Sequence, residues 1–162
     1  MTKDEIAGIT RANEGMQGIS WSILGQTYVP KSRTEHSFSW HATFPPGTFV
    51  PPHIHPDQDE YLYILEGKLD FMLDGADESA TPGDLVRLPM GKPHGIFNKS
   101  QQTAKTLFWV SPMQKLEALF EKLHNLQDPV EVVRISAEHE VDFLPPEANS
   151  SEERRVGKEC RS

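Results

Sequence analysis

The chain has a single cysteine, Cys160, close to its C-terminus. An internal disulfide and a thiolate metal cluster are both excluded. No stretch approaches the roughly 20 apolar residues of a membrane-spanning helix. Met1 to Asn13 carries charges where a signal peptide has its apolar core, so the expected location is cytoplasmic with no membrane partner. Basic residues are scarce: 16 Lys and Arg stand against 24 Asp and Glu, a net charge of −8, with no basic stripe. Such a surface repels phosphates, and no nucleic-acid partner is expected. Helical periodicity is missing from everything before residue 111. What is plentiful is punctuation, 13 Pro and 11 Gly among 36% apolar residues, the composition of many short strands joined by turns. A chain of 162 residues is long enough to bury roughly 70% of its unfolded surface in one domain.

After a polar stretch over residues 1–18, read as a loose N-terminal arm with one helical turn, alternation at period two begins. ISWSIL, QTYVP and SFSWHATF each alternate apolar or aromatic with polar residues and are predicted strands. EYLYILE and KLDFMLD follow as two more, with a turn at Gly75 to Glu78. A strand between Gly83 and Leu88, a tight turn at Pro89 to Pro93, a short strand from His94 and TAKTLFWV over residues 103–110 complete the β region. In SPMQKLEALFEKLHNL, Ser111 is the expected cap, Pro112 suits the first turn, and Gln114 closes a capping box. Leu116, Leu119, Phe120, Leu123 and Leu126 form the apolar stripe of that helix, assigned to packing. A second short helix is expected from Asp128 and Pro129. Residues 19–146 thus form the folded unit. Residues 147–162, ending in SSEERRVGKECRS without periodicity, read as a disordered tail resembling translated vector sequence.

The chemistry concentrates in Gly47 to Gly67, GTFVPPHIHPDQDEYLYILEG. Side chains two apart on a strand share a face, so His53 and His55 can aim both imidazoles at one point. Pro56 to Asp59 supplies a turn, and Glu60 then opens the next strand beside them. Two imidazoles and a carboxylate are a recurring ligand set for first-row transition metals. His94, in a turn-rich segment that starts a later strand, is the candidate fourth ligand.

Gly47, His53, His55, Glu60 and Gly67, with Gly83, Pro89, Gly91, His94 and Asn98, reproduce both halves of the cupin signature. Ten positions that each match by chance about one time in twenty make coincidence negligible. The chain therefore resembles a single-domain cupin. The resemblance implies an all-β fold: a conical jelly-roll β-barrel with short C-terminal helices, holding one divalent transition metal ion on His53, His55, Glu60 and His94. Fe, Ni, Mn, Co, Cu and Zn all suit such donors. It also implies homodimerisation through the sheets. PPHIHPDQDEYLYILEG, GDLVRLPMGKPHGIFN and WVSPMQKLEALFEKL are similar to quercetin 2,3-dioxygenase-like members. That likeness implies a small-molecule substrate and O2 as partners. It further implies oxygenolytic cleavage of a flavonol or related phenolic or enolic ring with release of carbon monoxide, Glu60 serving as the catalytic base.

Strand parity places Phe49 and Pro51 with His53, Leu62 and Ile64 with Glu60, and Ile96 with His94, as a substrate pocket or as plain core. Tyr61 and Tyr63 fall on the other face and are expected between sheets. His41 reads as a surface or satisfied core histidine, and His36, His124 and His139 as solvent-facing. Two other functions use the same ligands. A sugar isomerase, epimerase or lyase needs polar or basic groups, of which only Lys68, Arg87 and Lys92 lie near the motifs. A non-catalytic small-molecule-binding cupin needs no base.

Overall fold

Period-two alternation becomes strand burial directly: in Phe38–Phe44, Phe38, Trp40, Ala42 and Phe44 are buried while the residues between them are only partly so. The computed structural model of the chain describes residues 6–145. Its strands are β1 Trp21–Ile23, β2 Gln26–Arg33, β3 Phe38–Phe44, β4 Phe49–Ile54, β5 Asp59–Glu66, β6 Leu69–Leu73, β7 Ala76–Ala80, β8 Leu85–Leu88, β9 His94–Phe97, β10 Ala104–Ser111 and β11 Asp142–Phe143. Two helices, α1 Leu116–Leu123 and α2 Pro129–Glu138, precede β11. The strands form two antiparallel sheets, β1-β2-β3-β10-β5-β8 and β11-β4-β9-β6-β7. Both contribute to one apolar core, in jelly-roll fashion. No ladder joins the two sheets among the described residues, so the expected conical barrel takes the form of two sheets sharing that core.

Aromatic residues dominate the first sheet's inner face. Trp40 and Phe108, cross-strand partners, stack at 5.0 Å and 9°. Phe120 of α1 meets Trp40 edge-on at 5.0 Å and 78°. Such pairs contribute about 0.5–1.5 kcal/mol each beyond the area they bury. The α1 stripe of Leu116, Leu119, Phe120 and Leu123 is fully buried, and Arg33 of β2 pairs with Glu117 to tie the helix to the sheet. Among the described residues no helix is long and apolar enough to cross a membrane.

Four local expectations change. β7 occupies most of the predicted Gly75 to Glu78 turn. The reversal is confined to Asp74 and Gly75, both at positive φ as a two-residue hairpin loop demands. The sequence ADESA hid this strand because four of its five residues are exposed on a sheet edge. The first helix starts at Leu116, not beside Ser111, and Gln114 sits at positive φ with no capping role. The carbonyls of Pro112 and Met113 both accept from Gln58 Nε2, and Met113 O also accepts from Leu116 N in a tight turn that precedes the helix. His139 is buried, 8% exposed, because its Nδ1 bonds Ile135 O on the last turn of α2. Tyr61 and Tyr63 lie on the outer face of the first sheet, Tyr61 stacked on Trp109 and Tyr63 exposed, so they do not pack between sheets. The second helix begins where expected, with Asp128 accepting from Val130 N and Pro129 at its first position.

The N-terminal stretch is held at Thr10, which donates to Lys31 O, and by Lys31 Nζ, which donates to Arg11 O and Glu14 O. One 3-10 turn, Met16–Gly18, occurs there. The expected tail at 147–162, with Cys160, lies outside the described residues.

Gly67 ends β5 at φ +77°, and a Cβ there would stand 2.7 Å from Thr103 O and 2.9 Å from Ala104 Cα. Both obstacles are backbone, so neither can swing away. Gly67→Ala is expected to destabilise the protein by about 1–3 kcal/mol, read as a lowered urea midpoint at unchanged m-value.

Candidate metal centre

Each sheet delivers part of the site. His53 on β4 and His94 on β9 are direct cross-strand partners in the second sheet. Glu60 stands on β5 of the first sheet, between Val110 and Leu88. His55 lies just past the end of β4, where its carbonyl accepts from Gly91 N and so ties the two motif turns together. All four side chains are buried, and one donor atom from each lies within 4.8 Å of every other.

The hydrogen bonds assign the imidazole tautomers. His53 Nδ1 lies 2.8 Å from Pro51 O; a carbonyl only accepts, so the ring proton is on Nδ1 and the lone pair on Nε2. His55 Nδ1 lies 2.6 Å from Gln58 Oε1. The Gln58 amide cannot be reversed, since its Nε2 donates to Pro112 O and Met113 O. His55 must therefore donate from Nδ1 and offer Nε2. Glu60 Oε1 sits 3.3 Å from His55 Nε2 and 3.0 Å from His94 Nε2. Yet Glu60 Oε1 and both nitrogens of His94 are buried without a properly formed hydrogen bond among the described residues. Unpartnered buried donors and acceptors are rare in folded proteins. Here a carboxylate oxygen and imidazole lone pairs converge, and a cation at their common centre would satisfy most of them at once.

Protonation fits the same conclusion. Burial drives His53 well below the usual imidazole range, and His94 and His55 push it further. Burial also lowers His55, against an upward pull from Glu60. For Glu60 burial pulls upward, but His55 and His94 outweigh it and the net direction is down. Neutral imidazoles and an ionised carboxylate are the states that ligate a metal.

A cavity of about 50 Å3 adjoins the cluster, and its lining includes His53, His55 and Glu60. Of the expected pocket residues only Ile96 lines it. Phe49 is 49% exposed and stacks on Phe97. The cause is a bulge in β4: two residues, Pro51 and Pro52, lie between Val50 and His53, while one, Gly95, lies between their partners Ile96 and His94. The extra residue shifts parity, which places Val50 in the lining and turns Phe49 outward. Pro51 faces an outer groove with Pro129 and Val133 instead. Leu62 and Ile64 are fully buried core residues outside the lining.

The wall is made by residues that motif reading passed over: Tyr28, Trp40 and Phe108 from the first sheet and Phe120 from α1. Inward parity on three aromatic-rich strands was the signal for the first three. Tyr28, which donates to Gln26, has its phenol driven up by burial and then by the Glu60 charge, so it stays protonated. His41 is half-buried on the outer face of β3, and His36 and His124 are exposed; none of these three lines the cavity.

The family profile described as a cupin domain matches residues 40–110, which contain all four clustered residues. Residues 40–110 are a cupin domain. Solved structures agree on the fold: an RmlC-like cupin from Shewanella frigidimarina superposes at TM-score 0.58 with 18% identity, covering 66% of this chain and 96% of that one. KdgF from a Halomonas species gives 0.57 and 19%, covering 66% and 99%. The tetracenomycin polyketide synthase protein TcmJ of Streptomyces glaucescens is 32% identical over 76 residues, 47% of this chain and 51% of that protein. Quercetin 2,3-dioxygenase of Bacillus subtilis is 37% identical over 57 residues, 35% of this chain and 17% of the enzyme. The cupin chain thus spans about half, or less, of the length of these two curated relatives.

Two outcomes follow for the cupin site. Gln58→Leu removes the acceptor that fixes His55 and is expected to weaken binding of Ni2+ or Co2+ roughly 10–100-fold, measured by chelator competition. Metal-free protein is expected to lose stability as pH falls below 6.5, because unfolded chains take protons that buried His53 and His55 resist. Above 6.5 the imidazoles are neutral in both states and that loss is absent. Urea midpoints of chelator-treated protein at pH 7.5 and 5.5 check the sign.

Proposed function

We propose that this cupin is a metal-dependent dioxygenase that opens the ring of a flavonol or a related phenolic or enolic compound. The observation that carries the reading is the pairing of an acceptor-rich cluster, His53, His55, Glu60 and His94, with an adjoining wall that is almost wholly apolar and aromatic. The likeness to quercetin 2,3-dioxygenase of Bacillus subtilis supports the same reaction class.

A divalent metal bound by these residues would supply Lewis acidity, lowering the pKa of a substrate hydroxyl. The chain's own groups do the rest. Glu60, held ionised, accepts the hydroxyl proton on its carboxylate. The Pro51 carbonyl and Gln58 keep His53 and His55 in the tautomers that present Nε2. Tyr28, Trp40, Phe108 and Phe120 give an apolar, aromatic wall that excludes bulk water from the reacting group.

A sugar substrate fits this cavity poorly. Its hydroxyls would need several polar partners, and Lys68, Arg87 and Lys92 are all exposed and absent from the lining.

Oxygen consumption by metal-reconstituted protein given quercetin and a panel of catechols tests the proposal, with a sugar-isomerisation assay beside it. Uptake with a flavonol is expected for at least one of Fe, Ni, Mn, Co or Cu; none with any of them overturns it. Glu60→Gln is expected to retain metal, to lose roughly 100-fold or more of kcat, and to bind substrate nearly as before. Unchanged turnover would remove Glu60 as the base.

A further inference from the structure

Two buried glutamines act alike on different rings. Gln58 orients His55 because its own amide nitrogen is fixed by two carbonyls. Gln26, 1% exposed, donates from Nε2 to Leu24 O and Phe49 O, which turns its Oε1 toward Tyr28. Tyr28 donates its only hydroxyl proton there, at 3.0 Å. The phenol oxygen keeps its lone pairs and has no proton left to give, so toward any ligand it acts as an acceptor alone. Tyr28 lines the cavity that also borders Glu60, and Trp40 lines the same cavity with its ring 6.0 Å from that of Tyr28. An indole N–H can only donate, and Trp40 Nε1 is buried with no acceptor among the described residues. The Ser136 hydroxyl on the same lining is also unpartnered, but it rotates and so discriminates between nothing.

We propose that Tyr28 and Trp40 are the specificity pair of the cavity. A hydroxyl of a planar, polyhydroxylated ring system donates to Tyr28 Oη, and a carbonyl or ether oxygen of the same ligand accepts from Trp40 Nε1. The inference rests on reading the cavity as the seat of a phenolic substrate, and it narrows that class to ligands with a free hydroxyl beyond the one at the metal cluster. An alkylated hydroxyl at that position meets an acceptor with another acceptor, which a buried site penalises.

Anaerobic calorimetric titration of the Ni2+-loaded protein tests this with galangin, a flavonol with two ring hydroxyls besides the one next to its carbonyl. The comparison ligand is the ether in which those two are methylated. The wild type is expected to bind galangin about 5–10-fold more tightly, as one hydrogen bond in a buried site implies. Tyr28→Phe should bind both ligands with the affinity of the ether. Gln26→Leu frees the Tyr28 proton to serve an ether oxygen and should also abolish the preference; it decides the matter if Tyr28→Phe does not fold. Trp40→Phe should weaken both ligands to a similar degree. A preference that survives in Tyr28→Phe, equal binding of both ligands by the wild type, or binding of neither overturns the proposal. Oxygen uptake on the same preparations separates the two claims. Preference without uptake ends the dioxygenase reading alone, and uptake with an unaltered preference in Tyr28→Phe ends this inference alone.

Discussion

Four ionisable side chains meet in the interior of an otherwise apolar protein, and the arrangement is tolerable only because each sheet supplies opposite halves of it. His53 and His94 face each other across β4 and β9, while Glu60 comes from β5 in the other sheet. A carboxylate taken out of water alone costs several kcal/mol, and neutral His55, which turns a lone pair and no proton toward Oε1 at 3.3 Å, does little to offset that cost. It is not removed, since Glu60 Oε1 and His94 remain without formed hydrogen bonds. The protein thus gathers three unsatisfied polar atoms, Glu60 Oε1 and both His94 nitrogens, at one point, while others such as Trp40 Nε1, Thr106 Oγ1 and Ser136 Oγ occur singly. This is the pattern expected where binding, not stability, has shaped the residues.

Around that point the supporting bonds reach the backbone rather than other charged groups. Pro51 O orients His53; Pro112 O and Met113 O orient Gln58, which orients His55; Leu24 O and Phe49 O orient Gln26, which orients Tyr28. Carbonyl oxygens do not titrate, so the tautomers and the Tyr28 rotamer are independent of pH over the range in which the fold survives. A carboxylate in place of Gln58 would add negative charge beside His55 and raise its pKa, competing with the neutral form that ligation needs.

Legibility in the sequence followed the physics of each feature. The cluster was readable because metal geometry demands particular residue types at particular spacings, and His53, His55, Glu60 and His94 do converge in space as a group that could hold a metal ion. Most strands were readable because one face of each is buried, as in the alternation of Phe38, Trp40, Ala42 and Phe44. β7 was not, because an exposed edge strand needs no apolar side. The orientation of Phe49 and Pro51 was not readable for another reason: parity counted back from His53 assumed a regular strand, and one extra residue between Val50 and His53 turned both away. No residue in VPPH announces a bulge, although two successive prolines cannot both serve a regular ladder. The helix start misled because Gln114, expected to close a capping box, sits at positive φ and donates to Asp57 O instead.

That last failure also shows how the site and its cover are joined. Residues 112 and 113 accept the Gln58 bonds that set His55, and Leu116, three residues on, begins the helix whose Leu119, Phe120 and Leu123 wall the cavity. Phe120 packs on Tyr28 at 5.1 Å and on Trp40 at 5.0 Å, so the same helix also braces the aromatic wall. Gln58 finds its acceptors in that lead-in: Pro112 O, and Met113 O, whose other lone pair takes Leu116 N at the turn into α1. The segment that leads into the core-closing helix is therefore also the one that fixes the His55 tautomer.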